Sequence, residues 1–186
     1  MKIAVIGTGY VGLVTGVCFS EMGNTVTCVD IDKKKIDNLN KGIIPIYEPG
    51  LSQLIQNNDI QFSINIKNSI QENDIIFIAV GTPMNDDGSS NLSYVKKVSE
   101  DIGKYINEHK IVITKSTIPV GTTNKVKNTI QKEIESRNVS ISFDIANNPE
   151  FLKEGNAIND FMRPDRIIVG LNNNLIKKVF KELYKP

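Results

Sequence analysis

Few of the side chains that grip nucleic acid, cross a membrane or ligate a metal stand out in this sequence. Charges nearly cancel: 22 Lys and Arg against 21 Asp and Glu leave +1. Nothing therefore points to nucleic acid or to an anionic membrane surface as a partner. No apolar run reaches the roughly 18 residues a membrane span requires. Met1-Lys2-Ile3 begins as a secretory leader begins, but glycines interrupt the apolar stretch and no small-residue cleavage site follows, which predicts a cytoplasmic protein. Cysteine and histidine are scarce. Cys18 and Cys28 fall within a helix pattern and a strand pattern, read as small buried hydrophobes, and lack metal-type spacing. His109, the one histidine, lies between a helix and a strand, where a surface role is expected. Asn85-Asp86-Asp87-Gly88-Ser89-Ser90 carries two acids without the full calcium-loop pattern and reads as a solvated loop. Internal repeats and low-complexity linkers are missing too. A length of 186 residues suits one domain with a substantial core.

What is present begins at the N-terminus. Lys2 to Ile6 is an apolar run, followed by Gly7-Thr8-Gly9-Tyr10-Val11-Gly12 and the helix-like Leu13 to Met22. Gly23-Asn24 marks a turn, and Thr25 to Val29 is a β-branched run ending in Asp30. Strand, glycine turn, helix, strand and acid, with the acid roughly 20 residues on, form the dinucleotide fingerprint. In it Gly7 permits the turn out of the strand, Gly9 lets the backbone approach a pyrophosphate, and Gly12 lets the helix sit close to the sheet. The helix N-terminus offers free N–H groups and a positive dipole end to phosphates. Methyltransferases that bind S-adenosylmethionine share the glycine turn and ribose acid and are the main confusable class. Asp30, placed to accept hydrogen bonds from a ribose diol and to repel a 2′-phosphate, favours NAD over NADP. Lys33, Lys34 and Lys35 weaken that preference, although a solvated first helical turn accounts for at least two of them. Asp32 reads as the N-cap of that helix.

Further along, helices are expected over Lys33 to Leu39, Leu51 to Gln56, Leu92 to Ile106, Gly121 to Ser136 and Leu175 to Tyr184, with a short turn over Lys67 to Glu72. Strands are expected over Ile60 to Ile64, Asp74 to Val80, Lys110 to Thr114, Ser140 to Ala146 and Arg166 to Gly170. Asp74 to Val80 is almost wholly apolar, as a central strand buried on both faces is. Ile43 to Gly50, apolar yet interrupted by Pro45 and Pro49, predicts a loop packed on the domain. The alternation implies an α/β fold: a Rossmann-type, doubly wound, mostly parallel sheet with helices on both faces. Strand ends at Gly81, Lys115 and Asn147 then share an edge with Gly7 to Gly12, and that edge is where chemistry is expected.

Two features there carry reactive groups. Thr117 places a hydroxyl just past a strand end, where such a residue also commonly caps a turn. Glu150 and Glu154 would share one side of a helical turn. There they would serve either as acid and base or as acids that favour a helix dipole, and spacing does not choose between these.

Taken together, the glycine turn, Ile46-Tyr47-Glu48-Pro49-Gly50-Leu51, Gly81-Thr82-Pro83, Lys115 to Thr123 and Asn148-Pro149-Glu150-Phe151-Leu152-Lys153-Glu154-Gly155 resemble the UDP-glucose/GDP-mannose dehydrogenases. Glu154 to Phe161, followed by Arg163-Pro164-Asp165-Arg166, looks most like the UDP-glucose branch. The resemblance implies two successive NAD-dependent oxidations of a sugar C6 alcohol to the carboxylate, with UDP-glucose or a related nucleotide sugar as substrate and a homo-oligomeric intact enzyme. It implies that Gly7, Thr8, Gly9, Tyr10, Val11 and Gly12 hold the pyrophosphate and Asp30 the adenosine ribose. Lys35, Val80, Gly81, Thr82, Pro83, Met84, Ser116, Thr117, Ile118 and Glu154 would also meet the cofactor. Thr117 and Glu150 would position and activate water, and Glu150, Phe151, Leu152, Lys153 and Glu154 would contact the sugar nucleotide. The family's nucleophilic cysteine belongs to a Gly-Gly-x-Cys segment of a second half, and neither Cys18 nor Cys28 matches it. Residues 1–186 are thus expected to be a single cofactor-binding Rossmann domain without the family's connecting helix and UDP-binding domain, inactive by itself because the reaction needs a thiolate to carry the acyl group. Dehydrogenases for GDP-mannose or UDP-N-acetylhexosamine, and a non-catalytic NAD-binding module, are the alternatives.

Overall fold

The computed structural model describes residues 1–171 and 173–185. Seven strands form one sheet in the order β3-β2-β1-β4-β5-β6-β7. The strands are β1 (Lys2–Ile6), β2 (Thr25–Val29), β3 (Ile60–Ser63), β4 (Ile75–Ile78), β5 (Lys110–Thr114), β6 (Phe143–Asn147) and β7 (Gly170–Leu171). All neighbours run parallel except β6 and β7. Helices α1 (Tyr10–Glu21), α2 (Lys33–Leu39), α3 (Leu51–Asn57), α4 (Ile66–Glu72), α5 (Ser93–Tyr105), α6 (Thr122–Ser136), α7 (Ala157–Met162) and α8 (Asn174–Leu183) cover its two faces.

Successive side chains on a strand point to opposite faces, and the core divides accordingly. Ile3, Val5, Ile75, Phe77 and Ile113 pack with Val14, Cys18 and Phe19 of α1, Phe161 of α7 and Phe180 of α8. Ala4, Ile6, Ile76, Ile78 and Val112 pack with Val95, Val98 and Ile102 of α5 and Val126, Ile130 and Ile134 of α6. A third cluster seats α2 and the start of α3 on α1 through Leu13, Val17, Ile36, Leu39 and Leu51. The Ile43 to Gly50 loop does pack on the domain, half-burying Ile44 and Ile46.

One row of the register positions the site. Val29 pairs with Ile6, Ile6 with Ile78, Ile78 with Thr114, and Thr114 with Asn147. The parallel strands therefore end level, and the turns leaving them form a single crest. The strand order reverses between β1 and β4, the switch point at which open α/β sheets bind ligands.

Two expectations change. Arg166 to Val169 is not strand. Asn148 Nδ2 donates to the carbonyl of Ile168 at 2.9 Å, so a side chain occupies a group the ladder would use, and only Gly170–Leu171 pairs, antiparallel. Glu150 and Glu154 do not share a helical turn either. Glu150 Oε2 accepts from the amide of Leu152 at 2.7 Å, a local turn that competes with helix, and helix starts only at Ala157.

Candidate functional site

The first wall of the crest is the turn from β1 into α1. Gly7 has φ +105°, a conformation open to glycine but strained for L side chains. A Cβ on Gly12 would lie 1.9 Å from the carbonyl oxygen of Gly7, whereas one on Gly9 would meet nothing within 4 Å. The turn is thus closed underneath and open above. The first bond from α1 into the turn runs from Leu13 N to the Gly9 carbonyl at 2.9 Å, and Gly9 supplies no side-chain cap. The preceding amides of α1 are left for an outside acceptor, as at any uncapped helix start. Open space over Gly9 and an uncapped dipole end suit a pyrophosphate.

Asp30 borders this turn at the end of β2. Its Oδ2 accepts from Thr8 N at 2.9 Å, Thr8 Oγ1 at 2.7 Å and Lys35 Nζ at 2.9 Å, and its Oδ1 accepts from Asp32 N at 3.0 Å. Burial pushes the carboxyl's pKa upward, but the amides of Asp32 and Thr8, the Lys35 ammonium and the Thr8 hydroxyl together outweigh it and bring the value to about 2. Asp30 is therefore a fixed anion at the end of β2, beside the glycine turn. Lys35 is tied to Asp30, and Lys33 pairs with Asp37 at 2.7 Å on the surface. Asp32 caps α2 through Lys35 N.

Beside the glycine turn, the loops after β4 and β5 are stitched together. Ser116 Oγ donates to the Val80 carbonyl at 2.6 Å, and Thr82 Oγ1 donates to the Thr117 carbonyl at 2.9 Å. Gly81, Pro83 and Thr117 are exposed while Ser116 is buried, so Val80 to Pro83, Thr117 and Ile118 form one accessible ledge next to Gly7 to Gly12.

The second wall is Asn148 to Ile168. It bounds a cavity of about 460 Å³ lined by Lys115, Asn148, Glu150, Leu152, Phe161 and Tyr184 among others. No residue of the glycine turn lines this cavity; it lies on the β5–β6 side of the crest. Phe151 is exposed beneath the Arg166 guanidinium, 5.7 Å from its ring centroid. Lys153 and Glu154 are exposed, and Lys153 N donates to Asp160 Oδ2 at 2.9 Å. Thr117, Glu150 and Glu154 thus stand on neighbouring loops of the crest, while Asp30 and Lys35 stand on its far side.

Two residues here were not singled out from the sequence. Lys115 ends the apolar β5 run, and a cation there has no periodic signal to mark it. It is 4% exposed. Its Nζ donates to Asn148 Oδ1 at 3.3 Å, an oxygen that also accepts from Tyr184 Oη at 2.5 Å. Burial depresses its pKa to about 8, with the Glu150 carboxylate pulling the other way. Glu48 carries no role in the sequence reading beyond membership of a motif, yet it is buried. Its partners lie on Tyr10, Gly155 and Ile158.

The cysteines stay out of this site. Cys18 and Cys28 are buried free thiols. Burial pushes both to about 12, with Glu48 and Glu21 adding to the rise at Cys18, so neither is a thiolate near neutral pH. His109 is half-exposed and pairs with Asp144 at 3.2 Å. Among the described residues no cluster of three His, Cys, Asp or Glu could hold a metal ion, and no helix is long and apolar enough to cross a membrane.

Comparison with known proteins follows the same lines. A family model described as the UDP-glucose/GDP-mannose dehydrogenase family, NAD binding domain, matches residues 1–186. UDP-glucose 6-dehydrogenase TuaD of Bacillus subtilis is 48% identical over all of this chain and 40% of its own length. A UDP-glucose dehydrogenase structure from Pyrobaculum islandicum superposes on the whole chain with TM-score 0.93 at 34% identity, using 44% of that chain. A GDP-mannose dehydrogenase from Pseudomonas aeruginosa, solved as a ternary complex, does so with TM-score 0.91, also at 34% identity and 44% of its chain. The chain spans about 40% of the length of curated relatives it matches.

Proposed function

The chain belongs to the UDP-glucose/GDP-mannose dehydrogenase family as its NAD binding domain, and we propose that it is the cofactor half of an enzyme that oxidises C6 of UDP-glucose to the carboxylate. The observation that carries this reading is the level row of strand ends, Ile6, Ile78, Thr114 and Asn147. It sets the glycine turn, the Val80–Thr117 ledge and the Glu150 loop along one edge.

On this reading Gly7 to Gly12 hold the pyrophosphate with backbone amides, and Asp30 holds the adenosine ribose. Val80 to Pro83, Ser116 and Thr117 line the remainder of the dinucleotide, whose nicotinamide, when bound, accepts hydride from the sugar carbon. Phe151 to Glu154 present backbone and side chain to the sugar nucleotide. Thr117 and Glu150 position and activate a water through the oxidation and hydrolysis steps, where it takes the proton the C6 hydroxyl gives up and later attacks the acyl carbon to free the carboxylate. The acyl-carrying thiolate comes from outside residues 1–186, because Cys18 and Cys28 are buried and protonated. UDP-glucose is favoured over other nucleotide sugars by the 48% identity to TuaD. Two free thiols suit the reducing cytoplasm, and the intact enzyme acts there as a homo-oligomer.

The test is made in an intact enzyme carrying this chain. Thr117→Ala and Glu150→Gln should each lower kcat by about 10²–10⁴-fold, the range for a lost acid–base group, far more than they lower NAD affinity. Near-normal turnover in Glu150→Gln would return that residue to a turn-forming role through Leu152 N.

A further inference from the structure

The loop carrying Glu48 takes no part in the reading above, yet its carboxylate is 6% exposed and ties together two segments that the reading assigns to different ligands. Tyr10, the first residue of α1, donates its hydroxyl to Glu48 Oε2. The same phenol oxygen accepts from Gly155 N at 2.7 Å, and that amide also reaches Glu48 Oε2 at 2.9 Å. The other carboxylate oxygen accepts from Ile158 N at 3.2 Å, in the first turn of α7. All these donors are neutral, so a buried carboxylate is held by an amide–phenol cage. Such an arrangement is demanding, because each lost donor leaves part of a buried charge unsolvated.

We propose that Glu48 is a positioning residue that couples the dinucleotide turn, through Tyr10, to the Glu150–Gly155 loop, so that a ligand on either segment is sensed by the other. The proposal rests on the reading that this loop faces the sugar nucleotide.

Position decides in favour of coupling over simple bracing. Tyr10 directly follows Gly9, over which the space is open, and its own backbone belongs to the uncapped start of α1. A phosphate seated there orders the residue whose hydroxyl is shared between Glu48 and Gly155. Burial, and then Glu48, push the Tyr10 pKa up, so the phenol keeps the proton it donates. On the far side, Gly155 at φ +85° closes the loop that begins with the Glu150 turn, and Ile158 N anchors the helix that follows. Coupling of this kind is reciprocal: whatever NAD does to the loop, a ligand on the loop does to NAD.

Amide hydrogen exchange at Gly155 and Ile158 tests this in the 186-residue chain, with and without saturating NAD, in wild type, Glu48→Gln and Tyr10→Phe. Both variants are close to isosteric and keep the fold available for measurement. In wild type NAD should slow exchange at both amides by about tenfold, on the scale of one hydrogen bond to a charged group. In both variants that NAD-dependent slowing should fall below about twofold, while Leu13 N in α1 slows equally in all three. A brace without coupling would speed exchange in the variants but leave the NAD-dependent change intact, and that result would overturn the proposal. So would a wild-type loop whose exchange ignores bound NAD. If calorimetry finds no NAD bound to wild type, the site reading fails. The ligand-free spectra then judge the clamp: Tyr10→Phe should speed Gly155 exchange by about tenfold, and unchanged exchange would refute it.

Discussion

The two walls of the crest are built on opposite principles. Gly7 to Gly12 takes its shape mainly from close backbone approach: the Gly7 carbonyl leaves no room for a side chain at Gly12, while the space over Gly9 is open. Asn148 to Ile168 has one six-residue helix, a few local turns such as that of Glu150 on Leu152 N, and ties to side chains elsewhere in the chain. Glu48 holds Gly155 and Ile158, Asn148 holds Ile168, and Tyr184 holds Asn148. A wall set by local sterics shows itself in a sequence as a motif. A wall held by distant hydrogen bonds shows only its composition.

The sharpest way to break this comparison is within the first wall. Gly12→Ala drives a Cβ into backbone, and overpacking of that kind costs about 1–3 kcal/mol or more. The urea midpoint should drop accordingly and NAD binding should be lost. Gly9→Ala enters open space, so stability should stay within about 0.5 kcal/mol while NAD affinity falls at least about tenfold as the Cβ fills the phosphate approach. If the two variants unfold alike, the turn is not closed underneath in the way the close approach implies.

The second wall has its own signature in Lys115. Its folded-state pKa of about 8 lies below the ordinary lysine value of about 10.4, so the unfolded chain binds more protons between those limits. Relative to Lys115→Met, wild-type stability should therefore rise from about pH 8 to 10.4 by about 2–3 kcal/mol on a linkage basis, a comparison in which the falling contributions of Cys18 and Cys28 cancel. Urea midpoints of the pair across this range make the comparison, and parallel curves would mean that the ammonium is better solvated than its burial indicates.

Asp30 gives the opposite sign on the first wall. Its pKa is depressed to about 2 from about 3.9, so its contribution is complete above pH 4 and is lost as pH falls through 2. The margin by which wild type exceeds Asp30→Asn, about 2 kcal/mol at pH 6, should close by pH 2. A margin independent of pH would show that Asp30 is not held as an anion by Thr8, Asp32 and Lys35.

How far the sequence could be read follows the same division. The parallel sheet was legible because apolar runs, glycine turns and helical spacing are local signals. Val29, Ile6, Ile78, Thr114 and Asn147 end level, as the alternation of strands and helices implies. The expected strand over Arg166 to Gly170 shrank to Gly170–Leu171, because the Asn148 side chain takes the Ile168 carbonyl. The expected helical turn at Glu150 to Glu154 is absent, because Glu150 caps its own loop. Lys115 and Glu48 were not singled out because their burial is decided by Tyr184, Phe161, Gly155 and Ile158, all far away in sequence. The resemblance supplied the motif around Glu48 but gave that carboxylate no function.

The central claim is that the crest is a dinucleotide site whose first wall selects NAD by presenting the fixed carboxylate of Asp30. Calorimetric titration of NAD and of NADP into the 186-residue chain tests it most directly. The account predicts NAD binding tighter than NADP by about tenfold or more, since a 2′-phosphate would face an unprotonated carboxylate, and predicts that Asp30→Ala narrows the difference. Equal affinities, or tighter binding of NADP through Lys33, Lys34 or Lys35, would contradict it.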